Sequence, residues 1–215
     1  VFKILKDLEL PFEAFKELKD YAKQYDVDFF STPFDKESVK YLESIGMDLY
    51  KIASFDIVNH QLLRAVAKTG KPVIMSVGMS NLDEIEDAYN ILKEGTDCIA
   101  ILHCISSYPT IEKDSKLSNI YKIQEKYNCI IGQSDHSNDI KVPIYAAAAG
   151  AQILEKHFKI DNNFECVDAP VSITEVQMKK LVEEVRGLEV IFGKENFGIR
   201  SSEEQTAVFR RLIKD

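Results

Sequence analysis

Residues 129–158, CIIGQSDHSNDIKVPIYAAAAGAQILEKHF, decide the fold. Apolar runs over Cys129–Ser134 and Gln152–Phe158 flank an Ala-rich segment, Ile140–Gly150, that closes on a glycine. The outer runs have the composition of strands and the inner segment that of a helix, so the stretch reads as a βαβ unit with parallel strands. His136 and His157 stand near the C-terminal ends of the two strands, where β/α architectures keep their chemistry. Side chains alternate along a strand. Ser134 and His136 therefore share one face, Glu155 and His157 share a face on the neighbouring strand, and Asp135 and Lys156 turn to the opposite side. A lone histidine reads most simply as a buried, hydrogen-bonded core residue. Two at matching strand ends, among serines, a lysine and a carboxylate, read as a pair able to share a divalent metal.

The same alternation continues outward. Strands are expected at Val27–Pro33, Leu49–Ser54, Pro72–Gly78 and Cys98–Ile105, with helices at Phe12–Gln24, Lys36–Ile45, Asn59–Thr69, Leu82–Lys93 and Leu117–Tyr127, and a final helix over Thr174–Ile191. Gly46, Gly70, Gly95 and Gly150 read as helix stops, Pro11 as a first-turn proline, and Asn81 and Ser115 as N-caps. The chain is expected to form one α/β domain over residues 1–215. Its six expected strands fall two short of a closed (β/α)8 TIM barrel of about 250 residues. Either two further strands lie before Val1, or the sheet is open and doubly wound. A start at Val1 rather than Met reads as processed or trimmed.

With 215 residues and 45% hydrophobic content the chain can bury a full core. Lys and Arg number 27 against 35 Asp and Glu, a formal charge of −8 without a basic stripe, which argues against a nucleic-acid or anionic-membrane partner. No long apolar run or signal pattern appears, so a cytoplasmic location is expected. The four cysteines show no CxxC spacing and read as buried reduced thiols.

Taken in order, the strand ends STPF, KIAS, SVGM, HCISSYPT, SDH and EKHF bring Thr32, Lys51, Ser54, Ser76, Ser106, Ser107, Tyr108, Ser134, His136, Glu155 and His157 to one mouth. Hydroxyls, amides and one lysine suit a phosphate or carboxylate through charge-assisted hydrogen bonds. Lys51, in an otherwise apolar run, reads either as the partner of an anion or as a lysine snorkelling to solvent. Each serine alone also fits a helix cap; Ser134, on the face of His136, is the best of them. Tyr108 fits a site residue or a packed aromatic equally. His103 lies deeper in its strand and reads as core. Asp56 and Asp168 fit sugar hydroxyls or plain turns.

STPFD, YKIASFDI, GKPVIMSVGM, LHCISSYPT, IGQSDH and ILEKHF, in this order over about Leu8–Gly193, resemble the sialic acid synthase family, the synthases of neuraminic, legionaminic and pseudaminic acids. The resemblance implies a TIM barrel, here without its first two strands. It also implies condensation of phosphoenolpyruvate with an N-acetylated hexosamine to a nine-carbon 2-keto sugar acid and phosphate, with Mn²⁺ or Mg²⁺. By that resemblance His136 and His157 match metal ligands. Lys51, Thr32, Ser54, Ser76 and Ser134 match positions around phosphoenolpyruvate, Tyr108, Asp56 and Asp168 match sugar-side positions, and Ser106 is a further substrate-binding candidate. Glu155 would steer a water or orient a ligand, which adds it to His136 and His157 as a catalytic candidate. The neuraminate branch carries Glu at the position of Asp56 and Asn at that of Ser106, so KIASFDI and SSYP resemble the pseudaminate branch more closely. The family's C-terminal antifreeze-like domain has no counterpart after FRRLIKD, and a homodimer is expected of the full-length protein. Two other readings stand beside this one: a metal-dependent aldolase or isomerase with Lys51 as Schiff-base nucleophile, and a non-catalytic sugar- or phosphate-binding barrel fragment.

Overall fold

The computed structural model describes residue 6, residues 8–194 and residues 196–211; the ends of the 1–215 domain expectation lie outside them. The elements run α1 (Phe12–Lys23), α2 (Lys36–Ser44), β1 (Tyr50–Ile52), α3 (His60–Ala67), β2 (Val73–Ser76), α4 (Leu82–Lys93), β3 (Ile99–Cys104), α5 (Ser118–Lys126), β4 (Ile130–Asp135), α6 (Lys141–Ala148), β5 (Ile153–Lys156), α7 (Glu175–Phe192) and α8 (Glu204–Ala207). The five strands form one sheet in sequential order, and every adjacent pair is parallel. An order without reversal removes the doubly wound alternative for these strands.

The sheet curls. Lys51 on β1 and Glu155 on β5 are separated by four strand spacings, which in a flat sheet is about 19 Å. Their charged ends lie 3.5 Å apart, so the two edges bend towards each other as in half a barrel.

Alternation assigns the faces. Tyr50, Ile52, Val73, Met75, Ile99, Ile101 and Ile131 point outward and pack with Leu62, Leu63, Val66, Ile85, Ala88, Ile120 and Ile123 of the helices in one core. A smaller cluster of Ile140, Ile173 and Leu181, with Leu154, seats α6 and α7 behind β5. Asn81 caps α4 as expected: its Oδ1 accepts from the amides of Asp83 and Glu84 at 2.9 and 3.0 Å, and Glu84 returns the bond. Gly46, Gly70 and Gly150 stop their helices at positive φ. Gly95 follows the end of α4, its amide donating to the Leu92 carbonyl at 3.0 Å, and it also serves space, since a Cβ there would lie 1.8 Å from the Ala67 carbonyl oxygen.

Several expectations are corrected. Val27–Pro33 is not a ladder strand but meets β1 through one parallel bridge, Ser31 to Tyr50. Pro33 has no N–H to offer, and among the described residues the segment has a neighbour on one side only. The Leu49–Ser54 strand ends at Ile52 because Ser54–Asp56 wind into a 3₁₀ turn. β5 ends at Lys156, and Phe158 makes an isolated bridge to Ile173. Ser115 is no N-cap: it follows the 3₁₀ turn Glu112–Asp114, its buried hydroxyl has no hydrogen-bond partner, and α5 begins after Leu117 without a side-chain cap. All four cysteines are free, but only Cys104 is buried; Cys98 precedes β3 and Cys166 lies in the loop after β5, so both reach solvent. Among the described residues no helix is long and apolar enough to cross a membrane.

Candidate active site

The inner face of the curled sheet carries Lys51, Ser76, Cys104, Ser134 and Glu155 at its C-terminal rim, placed there by the alternation and register of the strands. Lys51 is 6% exposed. Its ammonium donates to Ser76 Oγ at 2.8 Å and to the Ile52 carbonyl at 3.2 Å, and faces Glu155 Oε2 at 3.5 Å. The other Glu155 oxygen, Oε1, accepts from the Ser134 hydroxyl at 2.6 Å. Glu155 is thus a carboxylate held between a cation and a hydroxyl, with its edge open to a cleft of about 1150 Å³ that Thr32 and Lys51 also line.

His136 follows β4 directly. Its Nδ1 donates to the Ile105 carbonyl at 2.8 Å, which leaves Nε2 with the lone pair. Burial disfavours charge on this ring, but hydrogen bonding to Cys104 and Ile105 outweighs it and raises its pKa above the ordinary value. The same contact lowers the Cys104 thiol, against a burial effect that alone would raise it. His157 lies 5.3 Å away, ring centre to ring centre. Burial lowers its pKa, partly opposed by Asp168, whose Oδ2 stands 3.4 Å from His157 Nδ1. Tyr108 covers the pair, stacked on His136 at 4.0 Å and edge-on to His157 at 5.8 Å. Burial, together with negative charge at Cys104, Asp168 and Glu155, pushes its phenol up to about 12, so it remains a donor.

The structure therefore brings together Lys51, Ser76, Ser134, Glu155, His136, His157, Tyr108 and Asp168. Thr32 joins them through the shared cleft. Ser54 and Ser106 join through Gly78, whose amide donates to Ser54 Oγ at 2.9 Å. A Cβ on Gly78 would lie 2.4 Å from Ser106 Oγ, 3.0 Å from Ser54 Oγ and 3.2 Å from Cys104 Sγ, so these groups converge only because residue 78 has no side chain. Asp56 lies on the 3₁₀ turn that begins at Ser54 and accepts from Asn59 Nδ2 at 2.9 Å, beside the start of α3. His103 faces the helices, buried, with Nε2 bonded to the Ser115 carbonyl at 2.7 Å, as its depth in the strand predicts.

Cys104 and Gly78 are the residues that sequence reading missed. Cys104 alternates with Ser106 in HCISS just as Ser134 does with His136, so parity could have found it. Gly78 carries no such signal.

The imidazole pair fits a divalent metal in one respect: each ring has its Nδ1 turned to a carbonyl or carboxylate, the outer arrangement that orients a ligating nitrogen. Among the described residues no group of three or more His, Cys, Asp or Glu could hold a metal ion. A metal held at this point would have two imidazoles from the described residues, with its remaining positions open.

The NeuB family profile matches residues 1–197. The chain is 37% identical over 193 residues to the N,N'-diacetyllegionaminic acid synthase of Campylobacter jejuni, covering 88% of this chain and 58% of that protein. It is 32% identical over 214 residues to the pseudaminic acid synthase of the same organism, covering 99% of this chain and 62% of the relative. The crystal structure of N-acetylneuraminic acid synthetase from Leptospira borgpetersenii, in complex with citrate, superposes with a TM-score of 0.92 at 38% identity, over 97% of this chain and 73% of that one. The chain thus spans about three-fifths of the length of these two curated relatives.

Proposed function

The chain belongs to the NeuB family, and on that premise we propose that it is the larger part of the barrel of a cytoplasmic synthase joining phosphoenolpyruvate to an N-acetylated hexosamine. The product is a nine-carbon 2-keto sugar acid, with phosphate released. The observation that carries this reading is the rim itself: two imidazoles 5.3 Å apart beside a buried lysine, serine hydroxyls and a held carboxylate.

His136 and His157 would hold Mn²⁺ or Mg²⁺, which when bound supplies Lewis-acid polarisation of the sugar aldehyde. Lys51, Thr32, Ser54, Ser76 and Ser134 bind and orient phosphoenolpyruvate, its charge met by the ammonium and the hydroxyl donors. Asp56, Ser106, Tyr108 and Asp168 face the sugar. Carbon 3 of phosphoenolpyruvate attacks the aldehyde carbon, water adds at carbon 2, and phosphate leaves from the tetrahedral centre. Glu155, 3.5 Å from Lys51, accepts a proton from that water, and the two protons the water gives up end on the new hydroxyl and on the departing phosphate. Lys51 suits this role better than a Schiff base, because a nucleophilic amine must be neutral and its nitrogen here meets a hydroxyl, a carbonyl and a carboxylate.

The barrel is completed by two further strands from polypeptide beyond this chain, seated between β5 and Ser31. A cleft of about 1050 Å³ supports this, lined by Val27 and Phe30 on one side and Ile153, Leu154 and Glu155 on the other. The full-length protein is a homodimer of such single-barrel units. Asp56 and Ser106 favour a pseudaminic acid type of acceptor, whereas overall identity is higher to the legionaminic acid synthase.

The test is phosphate release from phosphoenolpyruvate with Mn²⁺ and a panel of N-acetylated hexosamines, using this chain and a form extended to the length of its relatives. Release with one sugar, lost in His136→Ala, is the expected result. Release that survives His136→Ala would overturn the metal assignment, and binding of sugar or phosphate without release in either form would favour a non-catalytic barrel.

A further inference from the structure

β4 and β5 are in register so that Asp135 lies opposite Lys156, each one residue before its imidazole. Alternation sends both side chains to the helix-facing side, the side on which Leu154 packs with Ile140 and Ile173. Each side chain is 2% exposed, and they meet at 2.7 Å. Asp135 Oδ2 also accepts from the Ser137 amide and hydroxyl at 3.2 and 2.6 Å, and Oδ1 accepts from Gln133 Nε2 at 3.3 Å. Lys156 Nζ donates to the Ser137 carbonyl as well. Every one of these bonds ends on the segment carrying His136 or on the strand carrying His157.

A buried ion pair is poor value for stability alone, since apolar residues of similar volume often do as well. What it adds is direction and distance, through short charge-assisted bonds. His136 has a tether of its own in the Ile105 carbonyl. Among the described residues the His157 ring has only the half-exposed Asp168 as a polar contact. The placement of His157 relative to His136 therefore depends on Tyr108, which packs on both rings, and on how β4 and β5 are fastened at their ends, by the Ser134–Glu155 bond on the front and by this ion pair on the back.

We propose that Asp135 and Lys156 are positioning residues: a buried clasp on the back of the sheet that sets the spacing of the two imidazoles on the front. Its consequence for metal affinity rests on the reading of His136 and His157 as ligands; the spacing itself does not.

Two measurements separate these points. The first is the nuclear Overhauser effect between the His136 and His157 rings in histidine-labelled protein, with the His103 ring as the internal reference. Lys156→Met should abolish the cross-peak and leave His103 unmoved. Since that variant strands a buried carboxylate and risks unfolding, Asp135→Leu/Lys156→Met, which removes both charges together, is the second probe. The second measurement is titration with Mn²⁺ alone, where the double variant should bind about 10- to 100-fold more weakly. A folded double variant with an unchanged ring cross-peak overturns the clasp. Wild-type protein that binds no Mn²⁺ in a His136-dependent way overturns the metal reading, while the cross-peak still decides the clasp.

Discussion

His103 and His136 titrate in opposite directions for reasons that sit in their immediate surroundings. His103 faces the helices, where burial disfavours its charged form and the single bond to the Ser115 carbonyl only partly offsets that, so its pKa falls below the ordinary 6.5. The unfolded chain then takes up a proton before the folded one as pH drops. The contribution is intact above the unfolded value and is lost as pH falls from there through the folded value. Urea unfolding of His103→Asn should accordingly show a shallower loss of stability between about pH 7 and 5 than the wild type. Lys51 offers a second check on the proposed reaction: removing a charge-assisted bond typically costs about 1.5–3 kcal/mol, so, if Lys51 binds phosphoenolpyruvate as proposed, Lys51→Met raises its KM about 10- to 100-fold in a steady-state assay of the extended form. At this scale most of the site was readable, because strand parity alone puts Ser134 with His136 and Glu155 with His157. Gly78 was not, since what it contributes is the absence of a Cβ against three side chains from elsewhere in the chain.

Elements are governed by their ends. The box of Asn81 and Glu84 satisfies amides at the start of α4 that would otherwise lack acceptors. Asn81→Ala should therefore destabilise the protein by about 0.5–2 kcal/mol in denaturant titration. Gly95→Ala should cost at least as much, roughly 1–3 kcal/mol, because its Cβ would meet the backbone of Ala67 and neither element can yield without repacking. Helix and strand order was legible from hydrophobic period and glycine punctuation. Element ends were less so. Ser115 has the chemistry of a cap but is drawn into the loop whose carbonyl holds His103. Val27–Pro33 has the composition of a strand but, among the described residues, lacks the second neighbour that would draw it into a ladder.

At the scale of the whole molecule, the curl of the sheet decides what meets what. It carries Lys51 to Glu155 across the breadth of the sheet, and leaves an apolar cleft between the Val27–Phe30 segment and β5. If two further strands fill that cleft, the extended protein buries surface that this chain exposes. Its urea m-value should then rise by more than its added length alone implies, and its melting temperature should exceed that of the present chain. Equal stability of the two forms would mean that the added residues lie elsewhere.

The sequence by itself determined the α/β alternation, the faces of the strands, and the set of hydroxyl, lysine, carboxylate and imidazole groups at the strand ends. These follow from side-chain periods of two and about 3.6 residues, which act over a few positions of chain. Only the tertiary structure decided that Lys51 pairs with Glu155, that Gly78 admits Ser54, Ser106 and Cys104 to one point, and that Asp135 and Lys156 fasten the two histidine-bearing strands. Those meetings depend on sheet curvature and on register between strands far apart in sequence, which arise from packing of the whole core rather than from any local pattern.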